Sequence, residues 1–349
     1  MASTKTINIQ SFFETRNNIP LIDVRSPLEF KKGHIPGAIN LPLFDNEERA
    51  KVGTLYTQSG KLAAILKGLD IVGPKQTEMA KRAIKISKNK KLCIHCWRGG
   101  MRSESVAWLL TLVGLECEIL EGGYRAYRRY IKSEFSKPWK FLVIGGMTGS
   151  GKTELIQNLA KKNEQVIDLE GLANHKGSAF GGIGKGNQPS TEQFENNLYE
   201  EFLDLEIGLE IWIEDESKSV GRVNIPDEIF LSMRKSTVIE IRMKKELRVQ
   251  RLVKEYAGLN TKHLTEAILR IQKRLGGLNT KTSLKAIETG DFKKAIELVL
   301  MYYDKAYQKG LAFRETKSIL PFQMTSEDFE ENAELLLGYF RAFKSESVS

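Results

Sequence analysis

Cysteine is scarce in this sequence, and long apolar runs are absent. Three cysteines in 349 residues are too few for a disulfide framework, which favours a reducing compartment, and we expect a cytoplasmic location. No apolar run approaches the roughly 20 residues that a membrane helix needs, so we expect no membrane association. The first six residues also lack the apolar core of a signal peptide.

The composition that remains is typical of a globular protein. Hydrophobic residues make up 41% of the chain and charged residues 28%, and 349 residues allow two domains with separate cores. The net charge of +9 permits a polyanionic partner such as RNA without requiring one. Nothing in the sequence indicates an obligate apolar interface, so we expect a monomer.

Short β-rich runs alternate with helical patterns, which predicts α/β domains with parallel sheets. We predict an N-terminal domain over residues 1–135, an α/β domain over 136–243, and a helical C-terminal region over 244–349 that packs on the second domain. A linker is expected at 133–138. The predicted strands are 21–24, 38–41, 91–95, 118–120, 141–144, 166–168, 211–215 and 237–241, and the main helices are 61–69, 77–87, 103–113, 124–132 and 154–161.

A glycine loop follows the predicted strand 91–95 and precedes a helix. Its backbone N–H groups and the helix N-terminus converge on one spot, which lowers a thiol pKa and attracts an anion. Cys96 is therefore a candidate nucleophile, and the residues expected to form the anion loop around it are Arg98, Gly99, Gly100, Arg102 and Ser103. Cys93 and Cys117 lie in apolar strand contexts and are interpreted as core thiols.

Two families use a loop of this kind. His95-Cys96-x-x-Gly99-x-x-Arg102-Ser103 matches the tyrosine-phosphatase signature, whereas rhodanese-like sulfurtransferases hold a persulfide-forming thiolate in a similar loop. The upstream segments Leu21–Phe30 and Gly33–Asn40 closely resemble the opening of rhodanese domains, and Gly122-Gly123-Tyr124 resembles their ending. The resemblance favours a rhodanese-like fold.

A second loop matches the P-loop pattern in full and sits between an apolar strand and a helix. Its phosphate-binding residues are Gly146, Thr148, Gly149, Ser150, Gly151, Lys152 and Thr153. Thr153 and Asp215, which ends an apolar strand resembling a Walker B element, are the expected Mg²⁺ ligands, with Asp168 as a weaker rival for Asp215. The motif predicts a site for any ligand that carries a diphosphate.

The fusion of the two domains resembles the bacterial tRNA 2-selenouridine synthases over nearly the full length. The segment 168–181, with Asp168, His175 and Ser178 as further site residues, resembles the second hallmark of that family, and segments 188–190 and 214–217 also resemble it. The resemblance implies replacement of sulfur by selenium in a wobble 2-thiouridine. A geranyl group from geranyl diphosphate is first placed on sulfur, and selenium from selenophosphate then displaces it.

The resemblance also implies the role of each part. The P-loop would hold the diphosphate, Cys96 would carry selenium as a perselenide, and Arg98 and Arg102 would hold the anionic donor. S-alkylation converts a poor leaving group into a good one, which splits one hard step into two easier steps. We expect Mg²⁺ as the only candidate cofactor, with none tightly bound. The expected tRNAs are those of the Lys, Glu and Gln type.

Three alternatives stay open from the sequence. They are an ATP-dependent tRNA sulfurtransferase, a Cys-x5-Arg phosphatase fused to a nucleotide-binding domain, and an inactive rhodanese domain that docks a partner.

The RNA surface is predicted from basic helices. Arg125, Arg128, Arg129 and Lys132 are candidate phosphate contacts, interleaved with Tyr124, Tyr127 and Tyr130, and a second basic helix carries Lys244, Lys245, Arg248, Arg251 and Lys254. A solvated helix with inward-packed tyrosines fits the first pattern equally well. An apolar groove near Phe180 is a candidate for the geranyl chain.

Overall fold

The computed structural model describes residues 3–314, 319–324 and 326–346. The chain divides into two compact units, Met1–Glu134 and Phe135–Ser349. Each unit is built on its own parallel sheet. No helix among the described residues has the length and apolar character to cross a membrane.

The first unit contains a five-stranded sheet in which every neighbouring pair is parallel. Its strands are β1 (Thr4–Ile7), β2 (Leu21–Asp23), β3 (Ile39–Asn40), β4 (Lys91–His95) and β5 (Glu116–Leu120), in the order β1-β5-β4-β2-β3. Its helices are α1 (Ile9–Thr15), α2 (Pro27–Lys32), α3 (Asn46–Gln58), α4 (Gly60–Val72), α5 (Gln76–Ile86), α6 (Met101–Leu112) and α7 (Gly123–Phe135), with a 3-10 turn at Gly73–Lys75.

The central strands of this sheet are apolar because helices cover the sheet. Ile22, Ile94 and Ile119 are buried in one cluster with Val106 and Leu110 of α6. The strand predicted at 91–95 is confirmed, and the predicted linker residues 133–135 instead form the end of α7.

The second unit contains another five-stranded parallel sheet and a short antiparallel hairpin. Its strands are β6 (Lys140–Gly146), β7 (Gln165–Ile167), β8 (Glu210–Glu214), β9 (Ser219–Val220), β10 (Val223–Asn224), β11 (Thr237–Arg242) and β12 (Ile319–Gln323), with the sheet order β12-β11-β6-β8-β7. Its helices are α8 (Lys152–Lys161), α9 (Leu169–Ala173), α10 (Thr191–Phe202), α11 (Asp227–Lys235), α12 (Lys245–Tyr256), α13 (Thr261–Arg270), α14 (Gln272–Leu275), α15 (Gly277–Glu288), α16 (Phe292–Leu311) and α17 (Phe329–Glu346).

The C-terminal region is mostly helical, but it also completes the sheet. β12 pairs in parallel with β11, and Leu336 of α17 is buried in one cluster with Leu155 of α8. α12 to α16 form a helical lobe with a separate apolar cluster.

Both predicted loops follow a strand inside a sheet rather than an edge strand. The Cys96 loop follows β4, and the P-loop follows β6. The carboxyl ends of parallel strands are where α/β sheets bind ligands, so the topology places both loops at favourable positions.

Candidate functional site

Cys96 lies at the floor of the loop between β4 and α6, with 3% of its surface exposed. Its Sγ lies 3.4 Å from Ser103 Oγ, and Ser103 Oγ lies 2.9 Å from the Gly100 carbonyl oxygen. The helix N-terminus therefore brings a hydroxyl and backbone N–H groups to the sulfur, as the sequence predicted for an anion loop.

The electrostatics of this loop favour a thiolate at Cys96. Burial opposes ionisation, but hydrogen bonds from Ser103 and the Arg98 N–H, together with the Arg102 charge, bring the pKa of Cys96 below its ordinary value. By contrast, burial raises the pKa of Cys93 and Cys117 to about 12. Cys96 is thus the activated thiol among the three cysteines.

Two glycine segments pack backbone against backbone to close the loop. Gly99 has φ +65°, and a Cβ there would lie 2.5 Å from the Leu120 carbonyl oxygen. Gly123 has φ +57°, and a Cβ there would lie 2.4 Å from the Cys96 carbonyl oxygen. The Tyr124 N–H donates to that same carbonyl at 2.9 Å, so the Gly122-Gly123 segment fixes the loop from behind.

A buried ion pair supports the loop from the neighbouring strand. Arg25 donates from Nε and Nη2 to the Asp23 carboxylate and from Nη2 to the Gly33 carbonyl oxygen. Its guanidinium carbon lies 3.9 Å from the centroid of the Tyr124 ring. Burial lowers the pKa of His95, whose Nε2 lies 3.7 Å from Asp23 Oδ2, so His95 is neutral at pH 7. These groups position the strand ends.

The two arginines of the loop have different surroundings. Arg98 is exposed, whereas Arg102 Nη1 donates to Glu29 Oε2 at 2.9 Å. Burial opposes ionisation of Glu29, but Arg102 holds its pKa below the ordinary value, so the pair is ionic at neutral pH. Arg98 is therefore the loop cation with the greater freedom to reach an incoming anion.

The P-loop forms the predicted cradle between β6 and α8. Gly149 and Gly151 have φ of +83° and +81°, and Lys152 Nζ donates to the Gly146 carbonyl oxygen at 3.2 Å. Ser150 and its neighbours line a cavity of about 500 Å³ that opens over the loop. This geometry fits a bound diphosphate.

Two arginines of α12 hold the P-loop from outside. Arg248 donates to the Thr148 carbonyl oxygen at 3.1 Å and forms a bidentate pair with Asp304. Arg251 donates to the Gly149 carbonyl oxygen at 3.2 Å and to Glu154 at 2.8 Å. Lys254 pairs with Glu327 at 3.2 Å. These three cations of the predicted second basic helix therefore have partners within the protein, and their contact with RNA stays a prediction.

Thr153 contacts carboxylates other than the predicted one. Its Oγ1 lies 2.9 Å from Glu170 Oε2 and 2.8 Å from Glu214 Oε1. Asp215 also lines the P-loop cavity, but its Oδ1 accepts from Arg314 Nη2 at 2.6 Å. The structure therefore brings Glu214 rather than Asp215 to Thr153, because neighbouring residues at a strand end point to different sides.

Burial raises the pKa of three glutamates near Lys152 and Thr153. Burial and the Glu170 carboxylate raise the pKa of Glu216 to about 8, and burial also raises the pKa of Glu170 and Glu214. Among the described residues, no group of three or more His, Cys, Asp or Glu side chains has metal-binding geometry. The Mg²⁺ site at Thr153 and Asp215 stays a prediction.

The other predicted residues of this site lie in or near residues 168–186, whose part 177–186 we call the glycine-rich segment. Asp168 caps α9 and accepts from the Gly171 N–H at 2.6 Å. Ser178 lines the P-loop cavity and also a neighbouring cavity of about 730 Å³, which His175 lines as well. His175 and Ser178 thus lie beside the cradle, whereas Asp168 has a structural contact that the sequence did not reveal.

An apolar cavity borders the P-loop cavity inside the helical lobe. Phe180, Leu264 and Ile296 are among its lining residues, and Thr148, Leu252, Tyr256 and Tyr303 line both cavities. Its free volume is about 20 Å³. The predicted apolar groove near Phe180 thus coincides with a small cavity beside the phosphate-binding loop.

The basic helix predicted to bind RNA is α7. Arg125, Arg129 and Lys132 are exposed and Arg128 is half-buried. Tyr124 and Tyr127 are fully buried, and the Tyr130 ring lies 5.0 Å from the Phe13 ring. Tyr124 and Tyr127 are core residues and offer no ring for stacking on bases.

The fold and the two loops define a rhodanese-like domain followed by a P-loop domain. Two family profiles agree: a rhodanese-like domain matches residues 10–130, and a tRNA 2-selenouridine synthase AAA domain matches residues 139–334.

Curated relatives cover most of the chain. The tRNA 2-selenouridine synthase of Bdellovibrio bacteriovorus is 34% identical over 87% of this chain and 91% of its own length. That of Nitrosomonas europaea is 40% identical over 68% of this chain and 63% of its own length. A solved rhodanese-related protein from Thermoplasma volcanium is 20% identical over 36% of this chain and 92% of its own, with a TM-score of 0.24. The chain belongs to the tRNA 2-selenouridine synthase family.

Proposed function

We propose that the chain converts the wobble 2-thiouridine of tRNA to 2-selenouridine in two steps, S-geranylation followed by selenation. Membership of the family supports tRNA modification. The proposed tRNA substrates are of the Lys, Glu and Gln type, and the proposed co-substrates are geranyl diphosphate and selenophosphate.

The juxtaposition of a phosphate cradle and an apolar cavity carries the proposal for the first step. Thr148 of the P-loop lines the apolar cavity, and Leu252 and Tyr256 line both cavities. A donor with a diphosphate head and a hydrocarbon tail matches both surfaces, whereas a nucleotide would place a polar base against apolar side chains. Because the free volume is about 20 Å³, the helices around the cavity must move apart to admit the tail.

The first step needs only displacement at carbon. The thiocarbonyl sulfur forms a bond to C1 of the geranyl chain while the C1–O bond breaks, diphosphate leaves with the electron pair, and the N3 proton of the nucleoside passes to water. Lys152 and the P-loop N–H groups stabilise the charge that develops on the diphosphate. A Mg²⁺ ion beside Thr153 would neutralise further charge on the same group.

The second step introduces selenium without a change of oxidation state, since selenium is a selenide in both selenophosphate and the product. Selenium forms a bond to C2 of the nucleoside, and geranyl thiolate leaves with the electron pair of the C–S bond. The phosphorus–selenium bond breaks when the Cys96 thiolate takes the phosphoryl group, and water then releases phosphate. A Cys96 perselenide would require an oxidant that selenophosphate does not supply, so we prefer the phosphoryl route.

Two variants of the full-length protein test this scheme with an anticodon stem-loop RNA that carries 2-thiouridine. The Lys152→Ala variant should catalyse S-geranylation more than tenfold more slowly than the wild type. It should still selenate RNA that is already geranylated, because its Cys96 loop is intact. Cys96→Ala should geranylate normally and fail to selenate. Nucleoside mass spectrometry measures both products, and the acid-quenched Cys96 peptide should carry a phosphoryl group. Full selenation by Cys96→Ala would refute the role of Cys96, and unchanged nucleosides with the wild type would refute the function.

A further inference from the structure

We propose that the cavity of about 730 Å³ that neighbours the P-loop cavity is the site where the acceptor RNA strand binds. The reactive nucleoside would be directed toward Tyr303. We call this cavity the basic cleft, and its main lining residues are His175, Lys185, Arg222, Arg270, Arg274, Tyr302 and Tyr303. The proposal rests on the proposed function and extends it to a surface on the second unit that the sequence did not indicate.

The charge of the cleft suits a phosphate backbone. Arg222, Arg270 and Arg274 are exposed, and Lys185 adds a fourth cation. Glu266 is the single acidic side chain among the described residues that line it. RNA binding gains free energy when such cations neutralise phosphates and release counterions.

Two of the arginines are held by neutral groups and keep their charge for a ligand. Arg270 Nη2 donates to the Ala179 carbonyl oxygen at 3.1 Å, and Arg274 Nη1 donates to the Tyr302 hydroxyl at 3.2 Å. A guanidinium has five N–H donors, so each arginine keeps further donors for phosphate oxygens. By contrast, Arg248 and Arg251 of α12 are paired with carboxylates.

The cleft also offers aromatic surface beside the reaction centre. Tyr302 and Tyr303 line the cleft with partly exposed side chains, and their ring centroids lie 5.0 Å apart, which provides surface for an unstacked base. The Tyr303 hydroxyl accepts from the Ala179 N–H at 2.8 Å and is thereby fixed.

Tyr303 is the point where three cavities meet. It lines the basic cleft, the P-loop cavity and the apolar cavity, and Ser178 lines the first two. A nucleoside at Tyr303 therefore lies next to the point where a diphosphate head and a hydrocarbon tail would join. This is the position that an attacking sulfur needs.

Binding of a 2-thiouridine anticodon stem-loop to the full-length protein tests the cleft without requiring turnover. The double variant R270A/R274A should bind on the order of tenfold more weakly, and the slope of log affinity against log salt should fall by about 2, since two phosphate contacts are lost. The matched control is K293A/K294A, which removes two exposed cations outside the cleft. Fluorescence anisotropy at several salt concentrations measures both quantities.

Photo-crosslinking locates the nucleoside. A stem-loop with 4-thiouridine at the wobble position should crosslink to peptides that contain residues 176–186 or 302–303. Equal affinity and salt slope for R270A/R274A and the wild type, an equal loss in the control, or crosslinks confined to other peptides such as α7 would overturn the proposal. Weak binding by R270A/R274A together with absence of modified nucleosides from the wild type would refute the proposed function and leave the cleft standing.

Discussion

At the scale of single residues, the Ser103 hydroxyl is one of several groups that favour the Cys96 thiolate. Ser103 Oγ lies 3.4 Å from Sγ, and its hydrogen bond is the largest of the contributions that lower the pKa of Cys96. Burial also raises the pKa of Cys93 and Cys117, but no comparable hydrogen bond or charge lowers it again. The loop therefore selects one thiol of three for ionisation.

The variant Ser103→Ala should raise the pKa of Cys96 and shift its reaction with iodoacetamide to higher pH. The thiolate fraction at a given neutral pH falls because the hydrogen bond to the charged form is lost. The alkylation rate at pH 7 should drop by about tenfold, as a hydrogen bond to a charged group contributes about 1.5 kcal/mol. Peptide mass spectrometry follows the rate at each cysteine.

The control for that experiment is Ser105→Ala, which changes an exposed serine of the same helix. Its pH profile should match the wild type. An unshifted profile for Ser103→Ala would mean that the helix N-terminus and Arg102 alone activate Cys96.

At the scale of elements, the Cys96 loop depends on a glycine contact that a strand–loop–helix pattern does not reveal. A Cβ at Gly99 would meet backbone atoms of the β5–α7 connection, whereas a Cβ at Gly100 would meet nothing within 4 Å. The motif shows that glycines are present, but only the fold shows which of them must remain glycine.

The variant Gly99→Ala should destabilise the protein by about 1–3 kcal/mol through left-handed strain and the backbone clash. Chemical denaturation measures this loss. The control is Gly100→Ala, because Gly100 has a φ of −109°, which other residues adopt. This variant should change the free energy of unfolding by less than about 1 kcal/mol. Equal effects of the two variants would contradict the packing argument.

Much of the fold was predictable from the sequence, and the misses have physical reasons. Apolar runs predicted the central strands because both faces of a parallel sheet are buried. β12 was missed since it contains Pro321, which is tolerated on this edge strand but reads as a strand breaker. Glu214 was passed over for Asp215 because the sequence does not show which of two adjacent acids faces Thr153.

At the scale of the whole molecule, the second unit brings together three surfaces that no single motif contains. The P-loop was predicted from its pattern, but the basic cleft and the apolar cavity depend on the glycine-rich segment and the helical lobe together. Residues that are far apart in sequence, such as Thr148 and Tyr303, line the same space. The substrate class of a P-loop therefore follows from its neighbours rather than from the loop.

This arrangement predicts which ligand stabilises the protein. Geranyl diphosphate at a hundredfold excess over its Kd should add about 2.7 kcal/mol to the free energy of unfolding and raise Tm. Inorganic diphosphate and ATP at the same concentration should stabilise less, because neither fills the apolar cavity. Lys152→Ala should abolish the shift in a thermal denaturation experiment. Greater stabilisation by ATP would favour the ATP-dependent sulfurtransferase instead.

Helix α12 touches both ends of the space proposed for the donor. Arg248 and Arg251 donate to P-loop carbonyls, and Leu252 and Tyr256 of the same helix line the apolar cavity. A shift of this one helix changes the fit of head and tail together. The head and the tail of a donor bound there would therefore meet the same rigid element.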